Sequence, residues 1–248
     1  NLEELWNRFF LNVDKSKYNI YIHFKQNVTL KYLEQYKLKN CIETRYADLS
    51  LVSAQNILLE EALKDPANEH FIFLSNSCIP FKKFEFIYNK LSIDKSYFNI
   101  TPQEQCFPRC DYLLDYLERK NIQKSSQWCI LNRKHSKIII AYSDAGLAPF
   151  KPIYAPDEIY YITTMFVNGL QEELVTTLNL ANSATTFTNW EGMDYAFPSM
   201  RGLKNYTVIS EEEIIHLINS DCLFGRKFTR GCIGCFCKSI YLKQISLF

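Results

Sequence analysis

The chain has 248 residues, 47% hydrophobic and 15% aromatic, with Lys+Arg 28 against Asp+Glu 27. That apolar mass suffices for one large packed domain, and the balanced charge leaves no broad field to attract nucleic acid or an anionic membrane surface. No apolar run approaches the ~20 residues of a membrane span, and Ile138-Ile139-Ile140-Ala141 has the length of a strand or buried helix segment. The sequence begins at Asn1 rather than Met, which leaves room for an upstream anchor or targeting signal.

In chain order, Leu2 to Leu11 carries apolar residues at helical spacing, and Tyr18 to Phe24 alternates as a strand does. Ser50 to Leu63 reads as an amphipathic helix with Leu51, Ala54, Leu58 and Ala62 on one face, stopped by Asp65-Pro66. Phe71-Ile72-Phe73-Leu74 follows as a run suited to a central strand buried on both faces. It ends in Ser75-Asn76-Ser77-Cys78-Ile79-Pro80, small polar residues at a strand end before a proline expected to start the next helix. Open α/β sheets place ligands at such ends, although a plain turn has the same composition.

Asn99 to Pro108 is irregular, as a lid or substrate loop would be, and Asp111 to Arg119 has a helical pattern. Gln127 to Leu131 reads as a strand feeding a helix from Arg133 to about Tyr142. Pro156-Asp157-Glu158 then breaks a loop and opens an apolar helical segment. Further on, Thr185 to Trp190 and Tyr206 to Ile209 read as strands, and Ser210 caps the helix that runs to Asn219. Helices alternating with strands, without a repeat or linker, predict an α/β sandwich in a single domain over 1–248.

The nine cysteines do not form a metal pattern: only Cys232, Cys235 and Cys237 cluster, and His23, His70, His135 and His216 stand at no ligand spacing to them. Disulfides at Cys106 and Cys110 or in the C-terminal trio suit a lumenal chain, and free buried thiols suit any other. A Gly-rich phosphate loop, His-Glu-x-x-His, Gly-x-Ser-x-Gly and Asp-x-Asp are all absent from the sequence. What the chain offers instead is a carboxylate and late cations. Asp157 has the place of a helix-capping acid, whereas Glu158 sits where a loop-to-helix corner can hold a general base. Arg201, Lys204, Arg226, Lys227 and Arg230 can serve an anionic leaving group, or simply a solvated surface.

Together, Ser50-Leu51-Val52-Ser53-Ala54-Gln55, Asn68 to Pro80, Ser126-Gln127-Trp128, Pro156-Asp157-Glu158 and Leu223-Phe224-Gly225-Arg226-Lys227-Phe228 resemble, in order, the core-2/I-branching enzymes, glycosyltransferase family 14. The likeness runs from near Leu2 to about Phe228 and implies a GT-A type, Rossmann-like α/β/α sandwich with a central mixed sheet. It further implies inverting transfer from a UDP-sugar to a hydroxyl of a glycan or glycoprotein acceptor, with no divalent metal or other cofactor.

Carried over residue by residue, the resemblance places the catalytic base on Glu158 and the diphosphate ligand on Lys227, with Arg226 beside it. A second phosphate ligand falls on Lys204, where the family has arginine; Lys keeps the charge but loses the bidentate fork, and Arg201 is the neighbouring alternative. His23, Ser75 and Asn76 fall in the nucleotide and donor region, and Lys25 stands where the family has an acidic residue. Trp190 and Trp128 are the acceptor-side aromatics it implies, and a core tryptophan is the competing reading. The family's opening strand would lie upstream of Asn1, and residues 229–248 form a cysteine-rich tail.

The likeness implies a Golgi-type membrane enzyme. Sequons occur at Asn27, Asn99 and Asn205, and a glycan on Asn205, beside Lys204, would obstruct the donor site, so either Asn205 is unmodified or the protein takes a cytoplasmic or other non-secretory route. A non-catalytic glycan-binding or assembly protein on the same fold is the alternative, supported by the Lys204 and Lys25 departures. A glycoside hydrolase would need a second carboxylate ~5 to 9.5 Å from Glu158.

Overall fold

Helix α1 spans Glu3–Phe9 and helix α2 spans Ser50–Leu63 in the computed structural model, which describes residues 2–177, 185–189 and 205–232. Local chemistry sets the bounds of α2. Asp48 accepts from Ser50 N–H through its carboxylate at 2.9 Å and from Leu51 N–H through its carbonyl at 3.0 Å. Pro66 supplies no donor to extend the helix. The Arg133 guanidinium closes its far end, donating to the carbonyls of Leu63 at 2.9 Å, Asp65 at 2.8 Å and Asn68 at 2.9 Å.

The buried stripe of α2 is Val52, Gln55, Asn56, Leu59 and Ala62 with Ala54, rotated from the face that Leu51 and Leu58 suggested. The rotation admits Asn56, whose Oδ1 accepts from the buried Tyr161 hydroxyl at 2.9 Å. Hydrophobic spacing carries no record of such a buried polar pair.

In chain order the remaining elements are β1 His70–Ile72, β2 Ile79–Pro80, α3 Phe84–Lys90, β3 Ser96–Asn99, β4 Ile130–Asn132, α4 Arg133–Ala141, α5 Ser143–Gly146, α6 Tyr160–Val167, β5 Leu174–Thr177, β6 Thr186–Thr188, α7 Glu211–Asn219 and β7 Phe224–Arg226. Helices with mixed sheets make the chain α/β. Its contacts divide it into two compact units, 14–73 with 91–178, and 1–13 with 74–90 and 179–248. No helix among the described residues is long and apolar enough to cross a membrane.

In the first unit the sheet order is β1-β4-β3-β5, antiparallel except for the parallel β3/β5 pair. Its core includes Val52, Leu59, Phe73, Phe98, Leu131, Tyr160, Tyr161 and Met165. Among these strands β1 lies at an edge, with only Phe71 of its three residues buried, so the expectation of a central strand buried on both faces fails there. Strands β3 and β4 are buried at every residue, and the mixed Ser-Tyr-Phe-Asn composition of β3 carries no strand pattern.

Tyr18 to Phe24 forms a single bridge, Ile22 to Lys37, because the alternating segment finds no partner strand among the described residues. Asp111 to Arg119 forms short 3-10 turns, at Asp111–Asp115 and Arg119–Asn121, rather than one helix.

A buried polar network ties β3 to α4. Ser96 Oγ lies 2.7 Å from His135 Nδ1, and His135 Nε2 lies 3.0 Å from Glu173 Oε2, which also meets Lys134 Nζ at 2.8 Å. Ser96 and His135 are fully buried, so their side chains are closed to any substrate, while Glu173 and Lys134 reach solvent. Burial pushes the His135 pKa down, against the pull of Glu173.

The second unit holds the sheet β2-β7-β6, with β2/β7 antiparallel and β6/β7 parallel. Pro80 pairs within β2 and does not open a helix; the next helix starts at Phe84. Tyr206 to Ile209 contributes one bridge, Tyr206 to Phe228, and the two rings stack with centroids 4.7 Å apart. Ser210 caps α7 as expected, its hydroxyl accepting from Glu213 N–H at 3.1 Å. Gly225 is required in β7, since a Cβ there would fall 2.0 Å from Phe81 Cζ.

Candidate active site

Pro156–Glu158 forms one 3-10 turn with proline at its first position, and Tyr160 then starts α6. The entry is bent sharply: Ala155 has φ 52 and ψ 60, in the left-handed region that costs an L residue roughly 1–2 kcal/mol. Ala47 is left-handed as well, at φ 55. The two strained residues are joined, Ala155 N–H donating to Ala47 C=O at 2.9 Å. From the other side, Ser125 N–H donates to the Glu158 carbonyl at 2.8 Å. The backbone that carries Glu158 is therefore fixed from two distant parts of the chain.

The Glu158 carboxylate is 29% exposed and meets two cations. Arg109 donates to Oε2 from Nη1 at 3.2 Å and from Nη2 at 3.3 Å, and Lys124 Nζ stands 3.8 Å from the same oxygen. Two nitrogens on one oxygen make Arg109 the stronger restraint. No described residue donates to Oε1. The arrangement thus fixes one carboxylate oxygen and leaves the other open to take a proton. Asp157, by contrast, is 6% exposed, the interior position of a structural acid.

Exposed aromatic rings flank this corner. Tyr46 and Tyr154 lie edge to face, with centroids 6.4 Å apart. The neighbouring Tyr154 hydroxyl raises the Tyr46 pKa, with smaller contributions from the charges of Glu158 and Asp157.

The cations expected to meet a diphosphate belong to the other unit. Arg226 ends β7 and Lys227 follows it. Beside them lies the Ser75 to Cys78 turn: Ser77 C=O accepts from Phe228 N–H at 2.9 Å, and Ile79 is in register with Gly225. Ser75 Oγ is 3.0 Å from Ser77 Oγ, so its hydroxyl is already engaged within the turn. Burial, and then the neighbouring Arg226 charge, lower the Lys227 pKa. Lys227 Nζ has no hydrogen bond or ion pair with a described residue. The structure therefore brings Ser75, Asn76, Arg226 and Lys227 into one neighbourhood. Lys204, Arg201 and Trp190 lie outside the described residues.

Two other expected residues have structural employment. His23 Nε2 accepts from Ile42 N–H at 3.0 Å, and burial lowers its pKa, so this ring acts as a neutral acceptor for the backbone. Trp128 is 9% exposed and packs in the core of the first unit, so its ring is not an open face for a sugar. The described cysteines, Cys106 and Cys110 among them, are free thiols. Burial raises Cys106 to about 11, which makes it unreactive. Of the sequons, Asn99 is 1% exposed and accepts from Thr177 Oγ1 at 3.1 Å, while Asn27 and Asn205 are exposed. Among the described residues, no group of His, Cys, Asp and Glu side chains is arranged to hold a metal ion.

Arg109 and Lys124 escaped the sequence reading. Lys124 lies two residues before Ser126 and Arg109 one residue past the irregular Asn99 to Pro108 segment, and no sequence signal singles out either of them or their pairing with Glu158.

The chain belongs to the Core-2/I-Branching enzyme family, whose profile matches residues 1–217. It is similar to a protein of Oryza sativa subsp. japonica named Glycosyltransferase BC10, with 28% identity over 209 residues. That similarity covers 70% of this chain and 52% of the rice protein, so the chain spans about half the length of its relative. The resemblance drawn from the ordered motifs is thereby established at the level of the family, and the mixed α/β architecture is consistent with the GT-A-like, Rossmann-type fold of that family.

Proposed function

We propose that this chain is an inverting glycosyltransferase that moves a sugar from a UDP-sugar to a hydroxyl of a glycan or glycoprotein acceptor. The reading rests on family membership and on one observation above others: a partly exposed carboxylate whose Oε2 is held by Arg109 and Lys124 and whose Oε1 is open. In the proposed step Glu158 Oε1 takes the acceptor hydroxyl proton as that oxygen bonds to the anomeric carbon. The carbon's bond to the diphosphate oxygen breaks on the opposite face, and UDP leaves with the electron pair.

Lys227 and Arg226, with Lys204 or Arg201, balance the charge on the leaving diphosphate, the work a divalent metal does in other transferases. Transfer is then independent of a metal, and full activity in excess EDTA is expected. Replacing Glu158 by Gln keeps the shape and removes the base. Turnover that survives Glu158→Gln unchanged would refute the assignment.

A further inference from the structure

The geometry points to Tyr46 and Tyr154 as the platform that receives the pyranose ring of the acceptor and presents its hydroxyl to Glu158 Oε1. This deepens the transferase reading and rests on it for the word acceptor. Tyr46 is 87% exposed and Tyr154 58%, the two most exposed aromatic side chains among the described residues. They are neighbours, edge to face at 6.4 Å and 73°. Aromatic surface left open to water in this way, beside a reactive group, is available to the apolar face of a sugar, and the tyrosine hydroxyls supply the polar edge that a saccharide also requires.

The rings are open while the backbone beneath them is locked. Tyr46 precedes Ala47 and Tyr154 precedes Ala155, the two left-handed residues joined by the 2.9 Å hydrogen bond. Arg45 N–H donates to Ser50 Oγ at 2.9 Å and Ser50 N–H to Asp48 Oδ1 at 2.9 Å, so the Tyr46 loop is anchored to the start of α2. Preorganised rings lose little freedom when a ligand arrives. Glu158 N–H donates to the Ala155 carbonyl at 3.2 Å, so the residue after Tyr154 belongs to the same turn as the proposed base.

Another exposed pair, Tyr112 and Tyr116, has hydroxyls 2.8 Å apart and rings 5.4 Å apart. The charges that act on Tyr116 come from its own segment, not from Glu158. It is therefore the internal control.

The test compares Tyr46→Ala, Tyr154→Ala, Tyr46→Phe and Tyr112→Ala by thermal stability, by acceptor and donor KM, and by saturation-transfer NMR with methyl β-glycosides of galactose, glucose, mannose and xylose. The two alanine variants at the platform should raise acceptor KM about tenfold, with donor KM and kcat within about twofold, and should lose the saccharide NMR signal. Tyr46→Phe and Tyr112→Ala should stay within about threefold of the parent. An unchanged acceptor KM in both platform alanines, or a rise in donor KM instead, overturns the assignment while leaving the transferase intact. Saccharide contact that depends on these tyrosines without any transfer retains the platform and refutes the transferase. A parent protein that contacts none of the four glycosides and shows no acceptor dependence at Tyr46 or Tyr154 refutes the platform as well.

Discussion

Glu158 ends one short regular segment and Lys227 directly follows another, yet the protein surrounds them differently. Glu158 has its countercharges in place, with Arg109 and Lys124 on one oxygen, so its orientation is settled before any substrate arrives. Lys227 has no described anion, and burial with the adjacent Arg226 charge disfavours its ammonium form. One group is prepared to act through a fixed geometry; the other is left in want of a negative ligand. On the proposed mechanism, the counterions around a charged residue separate a positioned reactant from a recognition site, even where both residues read alike in sequence.

The largest expected effect tests the prepared side of this contrast. Glu158→Gln should lower turnover by about a hundredfold or more while changing UDP affinity by less than about twofold, as measured by steady-state kinetics and calorimetry. Next is Gly225→Ala, which drives a methyl group into the Phe81 ring directly before Arg226. It should destabilise the chain by about 1–3 kcal/mol, or roughly 2–12 °C in melting temperature, with weakened UDP binding. Lys227→Ala should raise the UDP Kd by about tenfold without loss of thermal stability, because a poorly solvated cation is removed. Equal UDP affinity in Lys227→Ala and its parent would dissolve the contrast.

pH supplies the smallest and most selective test. His135 is held neutral by burial, so as pH falls below 6.5 the unfolded chain takes up this proton before the folded one does. The stability contributed by neutral His135 is complete above 6.5 and is lost as pH falls from there through the lower folded-state value. Replacing His135 by Gln should flatten that acid slope in a thermal melt. Lys227 responds at the other end: its lowered pKa makes UDP binding fail at a pH below the 10.5 of an ordinary lysine.

Helix α2 was legible to the residue because Asp48, Ser50 and Pro66 state its ends locally, and the Pro156-Asp157-Glu158 corner was legible for the same reason. Arg109 was not, since its pairing with Glu158 spans 49 residues and depends on where two loops are brought by the core. The burial of Trp128 and the backbone bond of His23 are hidden for a related cause: a tryptophan or histidine in a suggestive stretch looks alike whether it faces a ligand or the interior. Nor could composition reveal β3, a strand defined by its partners β4 and β5 rather than by its own residues.

The interior place of Asn99 has a consequence for the order of events during synthesis. Its side chain is satisfied by Thr177, which lies 78 residues later in the chain. At usual translation speeds that partner follows after roughly 4–16 s, during which Asn99-Ile100-Thr101 stands open as a glycosylation sequon. Wherever oligosaccharide transfer operates on nascent chains, a glycan at Asn99 would prevent β3 from closing into its sheet. The yield of active protein in such a compartment would then be set by a race between modification and the arrival of β5.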